Sequence, residues 1–129
     1  MHAVDIEPEM VAYLERRAEK EGIPNLRAVL GSEKKIPLSP NSIDIALMVD
    51  VYHECSHPYE MGLSMHEMLK RGGRLYLVEY REEDPAVPIK AVHKMSQAQA
   101  VRELTAAGFR FERNIGNLPW QHCLVFTKD

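Results

Sequence analysis

The sequence predicts an α/β fold, in which a mostly parallel sheet carries helices on both faces and ends in a C-terminal antiparallel hairpin. Strand-like and helix-like patterns alternate along the chain, which is typical of parallel α/β sheets. The segment 43–49 is almost entirely apolar, as expected for a strand covered on both faces. The last two predicted strands are joined by a connection short enough for antiparallel pairing. A chain of 129 residues fits a single domain over 1–129.

Six short segments have the composition of strands. The clearest is 43–49, followed by 74–80, which begins just after Gly72 and Gly73. The final pair flanks a turn around residues 116–119. The predicted strands are residues 2–5, 26–30, 43–49, 74–80, 109–115 and 122–127.

Three segments are predicted as helices, over 8–21, 58–70 and 96–107. Pro8 suits the first turn of the first helix, and Gly22 ends it. The second helix has a methionine-rich inner face and stops before Gly72 and Gly73. Ser96 and Gln99 predict a capping box for the third helix. Residues 81–95 are predicted as a long loop.

The overall composition excludes several classes of protein. A net charge of −3 and a pI near 6.1 give no basic surface for nucleic acid. No apolar run reaches the roughly 18 residues that a membrane span needs. Two cysteines, Cys55 and Cys123, are too few for a disulfide framework, which favours a reducing compartment. We therefore expect a cytoplasmic protein that binds neither nucleic acid nor a membrane.

The carboxyl ends of the predicted parallel strands mark the expected binding cleft, because ligands of open α/β sheets bind there. The groups that follow the first four strands are residues 5–7, 31–33, 50–53 and 79–81. Among them, the Asp5 carboxylate offers two acceptor oxygens that suit the neighbouring hydroxyls of a ribose. An equally simple interpretation is a surface acid that is stabilised by the dipole of the following helix.

Several segments in series resemble class I S-adenosylmethionine-dependent methyltransferases. They are residues 3–10, 36–38, 42–46, 48–53 and 69–75, and they occur in the order that the family has. The resemblance covers essentially the whole chain. It implies a Rossmann-like, seven-stranded sheet whose last hairpin is antiparallel, S-adenosylmethionine as cofactor, and a small-molecule methyl acceptor as substrate.

The resemblance also assigns roles to individual residues. Asp5 matches the acid that holds the ribose hydroxyls, and Ile6 matches the residue that packs against adenine. Ser32 and Glu33 match the loop that reaches the adenine edge, although the family usually has an aspartate close to Ser32. The implied cofactor-binding residues are Asp5, Ile6, Ser32, Glu33, Asp50 and Tyr52.

Catalytic roles are implied for His53 and Asp50, which face the methionine part of the cofactor and the substrate. Methyl transfer from a sulfonium depends mainly on alignment of the reacting atoms. A hydroxyl or amine acceptor is helped by a general base that titrates near neutrality, and His53 is the candidate. Alternatively, His53 caps the next helix or bonds a backbone group.

One part of the family pattern has no counterpart in the sequence. The family's first strand and its glycine-rich turn would precede Asp5, so the resemblance implies a domain truncated at its N-terminus. In the family's sheet that strand lies between the strands predicted here at 2–5 and 43–49. Its absence would bring these two together or leave unpaired edges, and unpaired edges recruit another chain. We therefore expect a homodimer, and two outcomes stay open: a small-molecule methyltransferase, active or inactive in this form, and a non-catalytic dimeric remnant or interaction module.

The stretch His53-Glu54-Cys55-Ser56-His57 also satisfies the zinc-hydrolase pattern H-E-x-x-H. That chemistry needs both histidines on one face of a continuous helix. Pro58 follows His57 and disfavours helical geometry there. A zinc hydrolase is therefore the least favoured alternative, and no metal ligands are expected.

Overall fold

The computed structural model describes residues 1–129 and contains seven strands and three α-helices. The strands are β1 (His2–Asp5), β2 (Arg27–Leu30), β3 (Ile43–Val49), β4 (Leu69–Arg81), β5 (Lys94–Met95), β6 (Arg110–Asn114) and β7 (Gln121–Thr127). The helices are α1 (Pro8–Lys20), α2 (Pro58–Met68) and α3 (Gln97–Ala106). Two short 3-10 helices span Tyr52–Glu54 and Ala91–His93. No helix is both long and apolar enough to cross a membrane.

The strands form two separate sheets. β1 and β2 pair in parallel, while the larger sheet has the order β3-β4-β7-β6, with β5 on the end of β4. β3 runs parallel to β4, and β7 is antiparallel to both β4 and β6. The predicted α/β class and antiparallel ending are therefore confirmed. Of the two outcomes expected for β1 and β3, the structure has the second: they do not pair, and each keeps a free edge.

Both α2 and α3 pack on one face of the larger sheet. Met65 of α2 and Leu104 of α3 belong to the same buried core as Leu75 and Phe126 of the sheet. The two helices approach closely at Gly62, where a Cβ atom would lie 2.8 Å from the Cβ of Ala107. These contacts bury one apolar face of the sheet together with the inner face of each of the two helices.

The opposite face of β3 is left open, so the prediction of helices on both faces holds only in part. Along β3, Ala46 is buried in the core, whereas Ile45, Leu47 and Val49 are 63%, 66% and 47% exposed. Successive side chains of a strand point to opposite faces, which explains this alternation. The nearly continuous apolar sequence of β3 therefore has a covering layer on one side alone.

Several predicted boundaries move because tertiary contacts override local pattern. The second helix ends at Met68 and not at Lys70, since the fully buried Leu69 starts β4 and pairs with Ile43. The glycine pair at 72–73 consequently lies inside β4. The predicted loop 81–95 contains a 3-10 helix and β5.

The predicted capping box at α3 is half formed. The Ser96 hydroxyl accepts a hydrogen bond from the Gln99 backbone N–H at 3.1 Å, as expected of an N-cap. The Gln99 side chain does not return to Ser96 but donates to Glu103 Oε1 at 3.0 Å. Ser96 therefore caps the start of the helix without a return hydrogen bond from the Gln99 side chain.

Candidate functional site

The candidate site lies at the carboxyl ends of β3 and β4. Val49 pairs with Val78, so the chain leaving β3 passes beside Glu79. Asp50 turns the chain with a positive φ of 53°, and its N–H donates to the Val78 carbonyl at 2.8 Å. The following 3-10 turn then places His53 over β4.

His53 is held by Glu79 through two hydrogen bonds, a unit we call the Glu79–His53 pair. The Nδ1 atom of His53 lies 2.7 Å from Glu79 Oε2, and the His53 backbone N–H donates to Oε1 at 3.1 Å. Glu79 is 1% exposed and the His53 side chain 8%. Burial raises the pKa of Glu79, although the hydrogen bonds from His53 oppose that shift.

This pairing fixes which nitrogen of His53 is free. An ionised carboxylate only accepts hydrogen bonds, so Nδ1 carries the proton and donates it to Glu79. Nε2 is then left with its lone pair, which can accept a proton or bind a metal ion. His53 does not cap α2, whose N-cap position is occupied by His57. The His53 ring therefore presents Nδ1 to Glu79 and Nε2 towards His93.

His53 lines a pocket of about 200 Å³, which we call the His53 pocket. His93 Nδ1 lies 3.4 Å from His53 Nε2, and the two rings meet edge to face at 75°. The residues that line the pocket are Asp50, His53, Glu54, Tyr80, Ile89 and His93. The sequence pattern placed Glu79 in the expected binding cleft without an individual role, and His93 was not among the site residues that it predicted. An acidic residue inside the apolar segment 74–80 was the available signal for Glu79.

Asp50 and Tyr52 have different environments. Both carboxylate oxygens of Asp50 accept from Gln121 Nε2, at 3.1 and 2.8 Å, and Asp50 lines the His53 pocket. Tyr52 is 2% exposed and its hydroxyl donates to Glu103 Oε2 at 3.0 Å. Burial, followed by the charge of Glu103, raises the pKa of Tyr52. The Tyr52 hydroxyl is thus engaged within the core, and the cofactor contact of Tyr52 stays a prediction.

The predicted ribose-binding residues lie at the end of the small sheet. Asp5 Oδ1 accepts from the Glu7 N–H at 2.9 Å, while Oδ2 has no partner. Ile6 is 50% exposed beside it. Gly31 donates to the Asp5 carbonyl at 2.9 Å, and a Cβ at Gly31 would lie 3.0 Å from Val4 Cγ1. The geometry leaves one carboxylate oxygen and one apolar side chain free for a ligand.

Ser32 and Glu33 are engaged within the protein. The Ser32 hydroxyl accepts from the N–H groups of Lys34 and Lys35, at 3.4 and 3.1 Å, and so closes its own turn. Glu33 Oε2 lies 3.7 Å from His57 Nδ1. Their proposed contact with adenine stays a prediction.

The H-E-x-x-H stretch does not have zinc-hydrolase geometry. His53 lies in a 3-10 turn, whereas His57 is extended at φ −129° and ψ 67° and faces Glu33 and Ser56. The two histidines therefore do not share a helix face, as Pro58 predicted. The group whose ligand atoms converge is instead His53, Glu54 and His93, all within 4.8 Å of one another.

Comparison with known proteins identifies the family. Residues 1–77 match the family model described as a methyltransferase domain. The chain belongs to the methyltransferase domain family. The resemblance read from the sequence is thereby confirmed.

Individual relatives of this methyltransferase domain are distant. It is 26% identical over 121 residues to the uncharacterized methyltransferase YcgJ of Bacillus subtilis, covering 92% of this chain and 48% of YcgJ. It is 29% identical over 107 residues to the mitochondrial 2-methoxy-6-polyprenyl-1,4-benzoquinol methylase of Caenorhabditis elegans, covering 80% of this chain and 38% of that protein. The chain thus spans half or less of the length of these relatives.

A solved structure has the same fold. A SAM-dependent methyltransferase from Aquifex aeolicus superposes with a TM-score of 0.89 at 23% identity, covering 99% of this chain and 68% of that one. The family and this likeness imply S-adenosylmethionine as the cofactor. The free Oδ2 of Asp5 and the exposed Ile6 fit its ribose and adenine, since a diol needs an acceptor and a ring needs apolar surface.

Proposed function

We propose that this domain serves a methyltransferase that moves a methyl group from S-adenosylmethionine to a small molecule. The observation that carries the proposal is the Glu79–His53 pair, which places the proton of His53 on Nδ1 and leaves the lone pair on Nε2, which faces His93 at the pocket at the ends of β3 and β4. The family supplies the reaction class, and the carboxyl ends of parallel strands are where α/β sheets bind ligands.

The size of the His53 pocket supports a small acceptor. Its volume of about 200 Å³ is below the 300–1,000 Å³ of a typical ligand site, so it suits the reacting end of a molecule. The net charge of −3 argues against a nucleic-acid substrate. A relative named as a benzoquinol methylase is consistent with an organic molecule, and not a macromolecule, as the acceptor.

In this proposal the residues of the chain position the reactants and take up one proton. When bound, the cofactor supplies an electrophilic methyl group on a cationic sulfur. Asp5 and Ile6 would hold the cofactor, whose methyl group would pass to the acceptor oxygen while its sulfur would keep the electrons of the broken carbon–sulfur bond. His53 Nε2 takes the acceptor's proton, and Glu79 stabilises the resulting imidazolium through the hydrogen bond at Nδ1.

Two further carboxylates complete the proposed site. Asp50 is fixed by Gln121 and lends negative charge to the pocket, which favours the cationic end of the cofactor. Asp5 would accept from a ribose hydroxyl through its free oxygen. His53 and Asp50 are thus the proposed catalytic residues, and Asp5 and Ile6 the proposed cofactor contacts.

A calorimetric titration with S-adenosylhomocysteine tests cofactor binding. Asp5→Ala should weaken binding by about 10–150-fold, because a hydrogen bond to a charged group is worth about 1.5–3 kcal/mol. Asp44→Ala is the matched control, since Asp44 is an exposed acid that pairs with Lys70 at the other end of β3. No heat at millimolar ligand, or equal affinity of the Asp5 and Asp44 variants, would contradict the proposal.

We also propose that the domain forms a homodimer through β3. Its free edge and the exposed side chains of Ile45, Leu47 and Val49 lie on one strand. Such edges pair with other chains, and a second copy offers an identical edge that a two-fold axis can match. This association suits both an enzyme and a non-catalytic interaction module, which the cofactor titration separates.

Sedimentation analysis tests the dimer. Leu47→Lys should shift the protein to a monomer, because it places a charge on the apolar face of β3. Leu63→Lys is the control, since Leu63 is an exposed apolar residue of α2. A monomeric unsubstituted protein, or equal behaviour of the two variants, would rule out association through β3.

A further inference from the structure

We propose that His53, Glu54 and His93 form a binding site for a divalent transition-metal ion, with zinc as its reference ligand. The site goes beyond methyl transfer and does not rest on it. The Nε2 atom of His53 lies 3.4 Å from His93 Nδ1 and 3.8 Å from Glu54 Oε1. All the ligand atoms of the three residues lie within 4.8 Å of one another.

These separations are close to those of a zinc site. With bonds of about 2.0–2.2 Å to zinc, neighbouring ligand atoms of a tetrahedron lie about 3.3–3.6 Å apart. The two histidine nitrogens already meet that distance. The Glu54 side chain is 65% exposed and is therefore free to close the remaining gap.

The Glu79–His53 pair prepares the first ligand. Histidines that bind metals usually donate their other N–H to a carboxylate, which fixes the tautomer and raises the basicity of the ligand nitrogen. Here the Nδ1 atom of His53 is bonded to the buried Glu79 at 2.7 Å, and Nε2 points towards His93. This carboxylate is an observation independent of the cluster itself.

The second histidine is held by an element that the sequence did not predict. His93 ends a 3-10 turn in which its N–H donates to the Lys90 carbonyl at 2.9 Å. The next residue begins β5, which pairs with the end of β4. The positions of both histidines are therefore set by β4: His53 through its hydrogen bonds to Glu79, and His93 through the pairing of β5. Two imidazoles and one carboxylate favour zinc, cobalt, nickel or iron(II) over magnesium or calcium.

Metal binding and proton uptake would use the same lone pair of His53. A bound ion therefore removes His53 as a general base for as long as it stays. The set also differs from the H-E-x-x-H pattern, because His57 faces Glu33 and has no part in it. The site thus shares His53 and Glu54 with that pattern while taking its second histidine from a segment 40 residues away.

A calorimetric titration of the chelator-treated protein with zinc chloride tests the site. Cobalt(II) in a parallel titration should give the visible absorption of a low-coordinate site. We expect one ion per chain, with affinity lowered about 100-fold or more by His93→Ala and about 10-fold by Glu54→Gln. Both side chains are exposed, so these variants should fold. Glu79→Gln should weaken binding by about 10–100-fold through the tautomer of His53.

His57→Ala is the matched control and should bind zinc as the unsubstituted protein does. The proposal is overturned if no stoichiometric binding is seen, or if His93→Ala retains full affinity. It is equally overturned if His57→Ala loses the ion, because the metal then sits on the H-E-x-x-H stretch. None of these results depends on S-adenosylhomocysteine binding, so failure here and failure of the proposed function are distinguishable.

Discussion

Replacement of Glu79 by glutamine should reverse the tautomer of His53 while leaving the fold nearly intact. Glutamine keeps the shape of the side chain and an oxygen for the His53 backbone N–H, which now donates to Oε1 at 3.1 Å. Its amide nitrogen would face Nδ1, where Glu79 Oε2 accepts at 2.7 Å. An amide N–H can only donate, so Nδ1 must become the acceptor and Nε2 must carry the proton.

The cost to stability follows from the two hydrogen bonds. A hydrogen bond to a charged acceptor contributes about 1.5–3 kcal/mol to stability and a neutral one about 0.5–1.5 kcal/mol. Replacing two charged hydrogen bonds by two neutral ones therefore lowers the free energy of unfolding by about 2–3 kcal/mol. Burial of a neutral amide avoids the desolvation that raises the pKa of Glu79, which offsets part of that loss. We expect a net destabilisation within about 2 kcal/mol. Glu79→Ala, which leaves both groups of His53 unpaired, should cost about 2–6 kcal/mol.

The sign of the pH dependence gives a second readout. The folded-state pKa of Glu79 is raised above 4.5, so the folded protein binds this proton more tightly than the unfolded chain. The associated stability is fully present below about pH 4.5 and is lost as pH rises through the raised pKa. The Glu79→Gln variant has no carboxyl group at this position, so it does not lose this stability as pH rises. The stability difference between the two proteins should therefore shift in favour of the variant as pH rises.

Nitrogen-15 NMR of the imidazole rings and urea denaturation measure both effects. The unsubstituted protein should have His53 protonated at Nδ1, and Glu79→Gln should have it protonated at Nε2. Methyl transfer that uses His53 as a base would then fall by about 10²–10⁴-fold. The reasoning is refuted if Nε2 stays unprotonated in the variant, or if Glu79→Gln destabilises as much as Glu79→Ala.

Two further predictions concern the core and a surface ion pair. Gly62→Ala should destabilise the fold by about 1–2 kcal/mol in urea denaturation, because its Cβ would lie 2.8 Å from that of Ala107. Adding Ala107→Gly to the same protein should restore stability. If the double variant stays destabilised, the contact is not the cause. Arg74 hydrogen-bonds Glu112 at 2.9 Å and lowers its pKa below 4.5, so this stability is present above about pH 4.5 and lost as pH falls through the lowered pKa. Thermal unfolding of Arg74→Gln should therefore show a flatter acid limb at low salt, and parallel limbs in the two proteins would exclude the effect.

Local chemistry explains most of what the sequence predicted correctly. Pro8 opens α1, Ser96 caps α3, and the apolar run of β3 is a strand, because each depends on residues close in the chain. The start of β4 at Leu69 was missed, since its strand conformation comes from pairing with Ile43. β5 was missed for the same reason: two residues gain strand geometry only beside β4.

For the candidate site too, the sequence predicted the residues whose positions depend on local structure and missed those that depend on tertiary contacts. Asp5 and His53 stand where strand ends predicted them, and family resemblance gave their roles. The family resemblance implied a cofactor contact for Tyr52, whereas the 3-10 turn directs its ring into the core, where its hydroxyl bonds Glu103. His93 lies 40 residues from His53 and reaches it only because of the turn before β5.

The sequence by itself determined the α/β class, the order of the main elements and the position of a histidine and an acid at strand ends. The tertiary structure decided which nitrogen of His53 is free and what faces it. The register that sets Val49 against Val78 brings His53 onto Glu79, 26 residues further along the chain. Burial then makes that hydrogen bond obligatory, because a polar group removed from water must find its partner within the fold.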